Sequence, residues 1–454
     1  MREDPRLTLI RVSLTITERW AVGRPPNAHD VVKLPVLVDP RTAGAGAVRP
    51  YLPVTGLVGS LRVHLPEERA KYWLGPEPAG HERSTGTLSS RSDDRMGRFQ
   101  ILGTLPVEAA TDRGGSTRID GRRGAAAGGS LRTAEWAEPA LATMVGFHGG
   151  SYDEDFLTRL ATWAPVLGRS RSTGMGRARV SKVESVTVDL SRPDQLQWWL
   201  VHRDAWLRSG DAPPSDVEVQ TRSHDHSDLV PAFSVTFTTA ERVHVGVSES
   251  GEGEGRGKPL PTLRTRRSPQ KPRGVLTIPG STWKGVYRHR CEAILRLVGA
   301  SDSAREAVVA GLFGADVRTA ASGRAGRGLL AFSDTTATAE TEVIRRHVAI
   351  DRFTGGARDG ALFALQAIPE GAELVFSVHA SAEGLHPAVE TLLLHVTRDL
   401  HEGLIGVGGH QTRGYGSVIA DQATATRFAN LAPVDVPGVL DALPVSSDAE
   451  EEDQ

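Results

Sequence analysis

"VAIDRFTGGARDGAL" occupies residues 348–362, and a fainter copy, "TRIDGRRGAAAGGSL", occupies residues 117–131. Asp120 falls on Asp351 without a gap, an offset of 231 residues. A loop that only turns a chain needs glycine, whereas paired arginines suit an anion. Two further pairs of segments match in the same order. "YLPVTGLVGSLR" (51–62) and "TIPGSTWKGVYR" (277–288) bring Pro53 onto Pro279, Gly59 onto Gly285 and Arg62 onto Arg288, an offset of 226. "LGRSRSTGMGRARV" (167–180) and "VGGHQTRGYGSVIA" (407–420) bring Gly174 and Gly176 onto Gly414 and Gly416, an offset of 240. Offsets that grow steadily along the chain are those of a duplicated domain with loop insertions, at a period too long for a solenoid.

Each half reads alike. "RLTLIRVSLTITERWAVG" and "AFSVTFTTAERVHVG" alternate apolar and polar residues, as a half-buried strand does. "WKGVYRHRCEAILRLVG" spaces Val286, Ala293, Ile294, Leu297 and Val298 along one helix face. "RHVAIDR" and "AELVFSVHA" read as later strands and "AVETLLLHVTRDLHE" as a second helix. The order predicts an α+β protein made of two tandem ferredoxin-like (RRM-like) β-α-β-β-α-β units. The expected divisions are a first domain at 1–190, a helix and linker at 191–229, a second domain at 230–430, and an acidic tail at 431–454 expected to be disordered. The linker helix carries Trp198, Trp199 and Trp206, expected to dock the halves together rather than to stack on bases.

With 454 residues, 39% hydrophobic and 24% charged, the chain can build packed domains. One cysteine, Cys291, excludes a disulfide framework and fits a reducing compartment. No stretch has the apolar length of a membrane span, and "MREDPRLTLIRV" lacks a signal-peptide core, so a cytoplasmic protein is expected. The formal net charge is −2, yet Arg256 to Arg290 holds ten Lys or Arg residues and no acid, and Arg169 to Lys182 holds five. Segregated cations on a near-neutral chain point to a localised anionic partner, or to solvated loops. "IPGSTWKG" places Gly, Ser and Lys near a helix start, but Lys284 precedes its glycine and no Ser or Thr follows, so it does not meet the P-loop pattern.

In order, "IPGSTWKGVYR", "LFG" (312–314), "IDRFTGGARDGALF" and "GVGGHQTRGYGSV" resemble the RAMP superfamily, and within it the repeated backbone subunit of type III CRISPR effector complexes. The resemblance covers most of residues 230–420. The first half is similar more weakly, keeping Pro53, Gly59, Arg62, "RIDGRRG" and "STGMG", with Val58 where the second half has Lys284. It implies guide-RNA binding, presentation of target RNA and contact with other CRISPR effector subunits. Glycine lets backbone N–H groups approach phosphate closely, and arginine adds bidentate contacts. The RNA-binding candidates are Arg62, Arg122, Arg123, Arg171, Gly174 and Gly176 in the first half. In the second half they are Lys284, Arg288, Arg352, Gly355, Gly356, Arg358, His410, Arg413, Gly414 and Gly416. Asp351 and Asp120 are read as structural, bonding backbone N–H groups in their turns. Tyr415 has two readings, a stacking face or a residue packed on the sheet.

Cleaving members of the family carry an aspartate two residues before a proline in the loop after the first strand. In "GRPPNAHDVVKLPVLVDPRTAG" that place holds Lys33, and Asp30 is the nearest substitute, with Asp39 a weaker one. Asp30 is read either as a catalytic carboxylate working with a divalent metal such as Mg, or as a turn cap. The corresponding second-half loop offers only Glu252 and Glu254. "HDH" (224–226) is read as polar linker, and His29 and His244 as the histidines open to acid–base work. The function expected is a guide-RNA-binding backbone component that presents target RNA and has a candidate cleavage residue. The alternatives are a non-catalytic scaffold and a guide-RNA-processing endoribonuclease.

Overall fold

The computed structural model describes residues 4–27, 30, 32–42, 49–76, 97–117, 119–120, 125–227, 229–246, 259–265, 273–315, 327–380 and 384–443. In the first half, β1 (Arg6–Ile16) leads to α1 (Val54–His64), α2 (Glu67–Leu74) and β2 (Phe99–Thr104). An inserted arm follows, built from β3 (Thr111–Ser116), β4 (Ile119–Asp120), β5 (Ala125–Ala126) and β6 (Arg132–Ala137). β7 (Ala140–Gly149), α3 (Glu154–Ala161) and β8 (Ala178–Asp189) complete the unit. α4 (Pro193–Ser209) and β9 (Gln220–Arg222) then add to it. The sheet runs β2-β7-β1-β8-β9, antiparallel throughout.

The second half repeats the plan. β10 (Phe233–Thr239), β11 (Arg264–Thr265) and β12 (Val275–Ile278) precede α5 (Gly280–Leu297), α6 (Asp302–Phe313), β13 (Leu330–Phe332) and β14 (Thr335–Thr336). The arm is a single ribbon of β15 (Val343–Ile350) and β16 (Ala357–Ala367). β17 (Glu373–Ala380), α7 (Pro387–His401), β18 (Val418–Ala420), α8 (Gln422–Phe428) and α9 (Val436–Asp441) follow. Its sheet runs β13-β17-β10-β18. Counting core strands only, both sheets have the order second-third-first-fourth, the ferredoxin-like arrangement expected. The loops repeat as well. Trp20 bridges Ala137 as Val243 bridges Ile368, Gly23 bridges Val36 as Gly246 bridges Thr262, and Leu34 bridges Ala134 as Leu260 bridges Leu365.

Alternation explains the layers. On β1, Ile10, Val12, Leu14 and Ile16 bury against α1, α2 and α3, while Leu9 lies on the opposite face. That opposite face, with Val145, Val186 and Val188, is covered by Trp198, Trp206 and Leu207 of α4. The linker tryptophans therefore seal the back of the first sheet and do not join the halves. The sheet leaves a second apolar face that needs a cover, and the helix adjacent in sequence supplies it. The region read as a tail also differs: Val439 of α9 is fully buried in the second core, with Leu440 and Leu443 packed on it. Residues 444–454, including the acidic run, lie outside the described residues.

The halves meet head to tail, through different surfaces of the same fold. The closing turn of the first half presses on the helix start of the second. Lys284 Nζ donates to Ser172 Oγ at 2.8 Å, and Arg19 binds Asp334 at 2.7 Å with side chains 7% and 5% exposed. Asp334 Oδ1 also accepts from the Gly280 N–H at 2.9 Å. Among the described residues no helix is long and apolar enough to cross a membrane.

Candidate nucleic-acid interface

Several residues expected to hold phosphate are occupied by the fold. Arg62 donates to the carbonyls of Gly75 and Leu74 at 2.8 and 3.2 Å, and Arg288 donates to the Gly314 carbonyl at 2.8 Å. These carbonyls end α2 and α6, where orphan acceptors and the negative pole of the helix favour a cation. The repeated arginine thus repeats a helix-capping duty. Lys284 is used at the seam, and burial beside Arg288 pulls its ammonium down to about 8. The final turns share one backbone: Ser170 and His410 are left-handed at φ 61° each, and Gly174 and Gly414 follow at φ 77° and 73°. The Leu167 N–H donates to the Gly176 carbonyl at 2.7 Å, and the Val407 N–H to that of Gly416 at 2.9 Å. A Cβ at Gly176 would overlap the Leu167 carbonyl oxygen, so that glycine serves closure of the turn. Gly416 sits in the same way over Val407.

Asp30 also has a structural partner set. Its oxygens accept from Arg24 at 2.7 and 2.5 Å, and one accepts from the Asn27 N–H at 2.6 Å. Asp39 is fully buried and held by both the guanidinium and the N–H of Arg41, which keeps its carboxyl below the usual range. Among the described residues no group of three or more His, Cys, Asp or Glu is placed to hold a metal ion. His226 of "HDH" is buried, its Nε2 2.8 Å from the Val180 carbonyl, so this stretch is part of the packed first half. Arg122, Arg123, His29, Glu252 and Glu254 lie outside the described residues.

The second arm behaves otherwise. At its tip Asp351 Oδ1 accepts from the N–H groups of Phe353 and Thr354 at 2.9 Å each, the turn-bonding role read for it. Backbone bonds between Asp351, Gly355 and Gly356 close the loop, leaving Arg352, Gly355, Gly356 and Arg358 exposed. At its base, strand alternation puts Arg345, His347, Phe363 and Leu365 on one face. The closing turn meets that face. Arg413 lies 4.9 Å over the Phe363 ring, His347 stacks on Phe363 at 5.2 Å, and His347 Nε2 is 2.8 Å from the Tyr415 hydroxyl. His410 is 3.1 Å from Arg413 and 5.2 Å, ring to ring, from His244. Tyr415 is only 3% exposed, so it packs and offers no stacking face.

Charge accumulates here. Neither Arg345 nor Arg413 forms an ion pair among the described residues. Burial lowers the His244 imidazole, and burial together with Arg413 and Arg345 lowers His347. Burial, then His244, Arg413 and His347, lowers His410. Three imidazoles whose protonation is disfavoured chiefly by burial, with cationic neighbours adding to it at His347 and His410, form a surface that resists more positive charge. A second cationic group lies at the seam. Burial pulls Arg177 down to about 10 with Arg327 adding to the effect, burial and then Arg171 lower Arg327, and burial plus Arg177 pulls His379 down to about 4. The buried Arg177 Nε has no hydrogen-bond partner among the described residues.

Sequence reasoning found Arg171, His410 and Arg413 but missed Arg177, Arg327, Arg345, His347, Phe363 and His379. For Arg345 and His347 the signal was present: "VIRRHVAI" puts both on one strand face. For the others it was not, because their neighbours are distant in sequence.

No curated protein matches the chain. Residues 236–419 match the family model of the RAMP superfamily, and this match, which spans less than half of the chain, supports RAMP membership.

Proposed function

We propose that the protein binds single-stranded RNA along the base of the second arm and the seam between the halves, as a guide-RNA backbone component of a type III CRISPR effector. The observation that carries the reading is the grouping of Arg345, Arg413, His347 and His410 around Phe363, with no carboxylate of the described residues bonded to either arginine. Guanidinium groups suit phosphate, and an aromatic flanked by cations suits a base or ribose. CRISPR-associated RNA binding is the general property of RAMP proteins, and the type III guide-bearing role is the finer part of the proposal. The reading contains no cutting step, because Arg24 holds both oxygens of Asp30.

The test is anisotropy of labelled single-stranded RNA with the full chain across a salt series. Replacing Arg345 and Arg413 together with Ala should weaken binding at least about tenfold and flatten the salt dependence by one to two phosphates' worth, roughly 0.7 in slope for each. Unchanged affinity and slope in the double variant would refute this site. Sequencing RNA that accompanies the protein from its host tests the finer reading: a population with a common repeat-derived end is expected, and random fragments would exclude a guide-bearing role.

A further inference from the structure

One pair of matching positions carries a neutral bond in the second half and an unsatisfied cation in the first. Ser417 Oγ donates to Glu241 Oε2 at 3.1 Å, so each group has a partner. Arg177 follows Gly176 as Ser417 follows Gly416, and Glu18 precedes Arg19 as Glu241 precedes Arg242. The Arg177 carbonyl accepts from the Thr17 N–H at 2.9 Å, which fixes the residue at the entry to β8. Glu18 draws on its guanidinium, yet the buried Nε finds no hydrogen-bond partner among the described residues. The side chain also weighs on His379 of β17, which stands opposite Ala331 of β13 in the other half.

Two more cations share the place, and both are exposed: Arg171 in the closing turn of the first half, and Arg327 at the entry to β13. Arg327 disfavours the charge of Arg177, and Arg171 that of Arg327. None of the three forms an ion pair among the described residues, whereas Arg19 nearby is matched by Asp334. Like charges held together cost stability until something neutralises them. We infer that Arg177, Arg327 and Arg171 form a receptacle for one phosphate group, which bridges the two halves at their seam. Guanidinium edges bind phosphate oxygens in pairs, and Nε is one donor of such an edge. The two exposed arginines leave the approach open, and the half-buried one forms the floor. The site belongs to the seam proposed above for RNA, so the inference rests on that reading for its natural ligand. Inorganic phosphate tests the site without RNA.

The test is thermal unfolding of the full chain in phosphate and in chloride of equal ionic strength. About 10 mM phosphate should raise the melting temperature by about 2–4 °C, the response of a site filled tenfold above its dissociation constant. Arg177→Gln and Arg327→Gln should each reduce that rise to less than about 1 °C. Arg327 is exposed, so its variant keeps the test decisive where Arg177→Gln does not fold. The Arg345→Ala and Arg413→Ala double variant should keep the full rise. A single-stranded oligoribonucleotide then separates the sources. If the phosphate is RNA's, RNA raises the melting temperature and added phosphate raises it no further. If it is free phosphate, the two rises add, and either result upholds the site. No rise over chloride, an equal rise in Arg327→Gln, or a rise lost with Arg345 and Arg413 would each overturn the inference.

Discussion

The turns at residues 167–177 and 407–417 have the same left-handed residue, the same one-turn 3-10 segment (Arg171–Thr173 and Gln411–Arg413), and the same glycine closures. One is sealed by protein and the other faces outward among cations. Equal local structure therefore says nothing about equal use. The first turn is a joint because a helix start from the same chain reaches it. The second sits beside an arm whose inner face carries Arg345 and His347, whereas the first turn packs Met175 against Trp136 and Val36. Duplication has left one turn inside the molecule and its copy on the surface.

The largest contrast should come from the two arginines. Asp334→Ala leaves Arg19 buried without its partner and should cost about 3–5 kcal/mol in denaturant unfolding. Glu370→Ala, which removes the partly exposed partner of Arg242, should cost less than about 1 kcal/mol. Similar losses would show that the seam is not specially built. Next come the glycines. Gly174→Ala combines left-handed strain with overlap against Ser333 and should lose about 2–4 kcal/mol, while Gly414→Ala meets only the strain, about 1–2 kcal/mol. Melting curves of the two variants decide it.

A smaller effect sharpens the division between scaffold and site. Arg62→Ala and Arg288→Ala each remove carbonyl caps and should cost about 1 kcal/mol of stability, with RNA affinity unchanged in the salt series that detects the Arg345 and Arg413 variants. A joint loss of affinity and stability would return these arginines to the binding surface. The mildest test is pH. His244, His347 and His410 are lowered in the free protein, and bound phosphate would offset their cationic neighbours and raise them, so binding takes up protons. Affinity should rise from about pH 8 to about pH 6, and replacing His347 and His410 with Gln should flatten the profile. Folding stability runs the other way. A histidine lowered on folding supports the native state fully above its unfolded value and loses that support as pH falls through the folded one. For His379 the window runs from 6.5 down to about 4.

Much of the fold was legible because its signals are local. Alternation in β1 and β10, Pro53 and Pro279 before their helices, and the glycines of the closing turns each act over a few residues. The three offsets exposed the duplication, and with it the strand order. The candidate site was legible in part. Asp351 could be read as a turn former, since an aspartate has backbone N–H groups two and three residues on within reach. Arg62 and Arg288 could not be read as caps, because the carbonyls they bind belong to the ends of other helices. The pairing of Asp30 with Arg24 could not be read either, because it depends on how the loop between them closes.

Sequence alone determined that this protein is two copies of one α+β unit with matching turns, because positive φ, strand period and helix starts are properties of short segments. Tertiary structure alone decided which copy of each turn is covered, which arginines are spent on carbonyls and where cations gather. Those outcomes depend on what arrives from far along the chain. Conformation is encoded locally, whereas exposure and charge balance are properties of the packed whole.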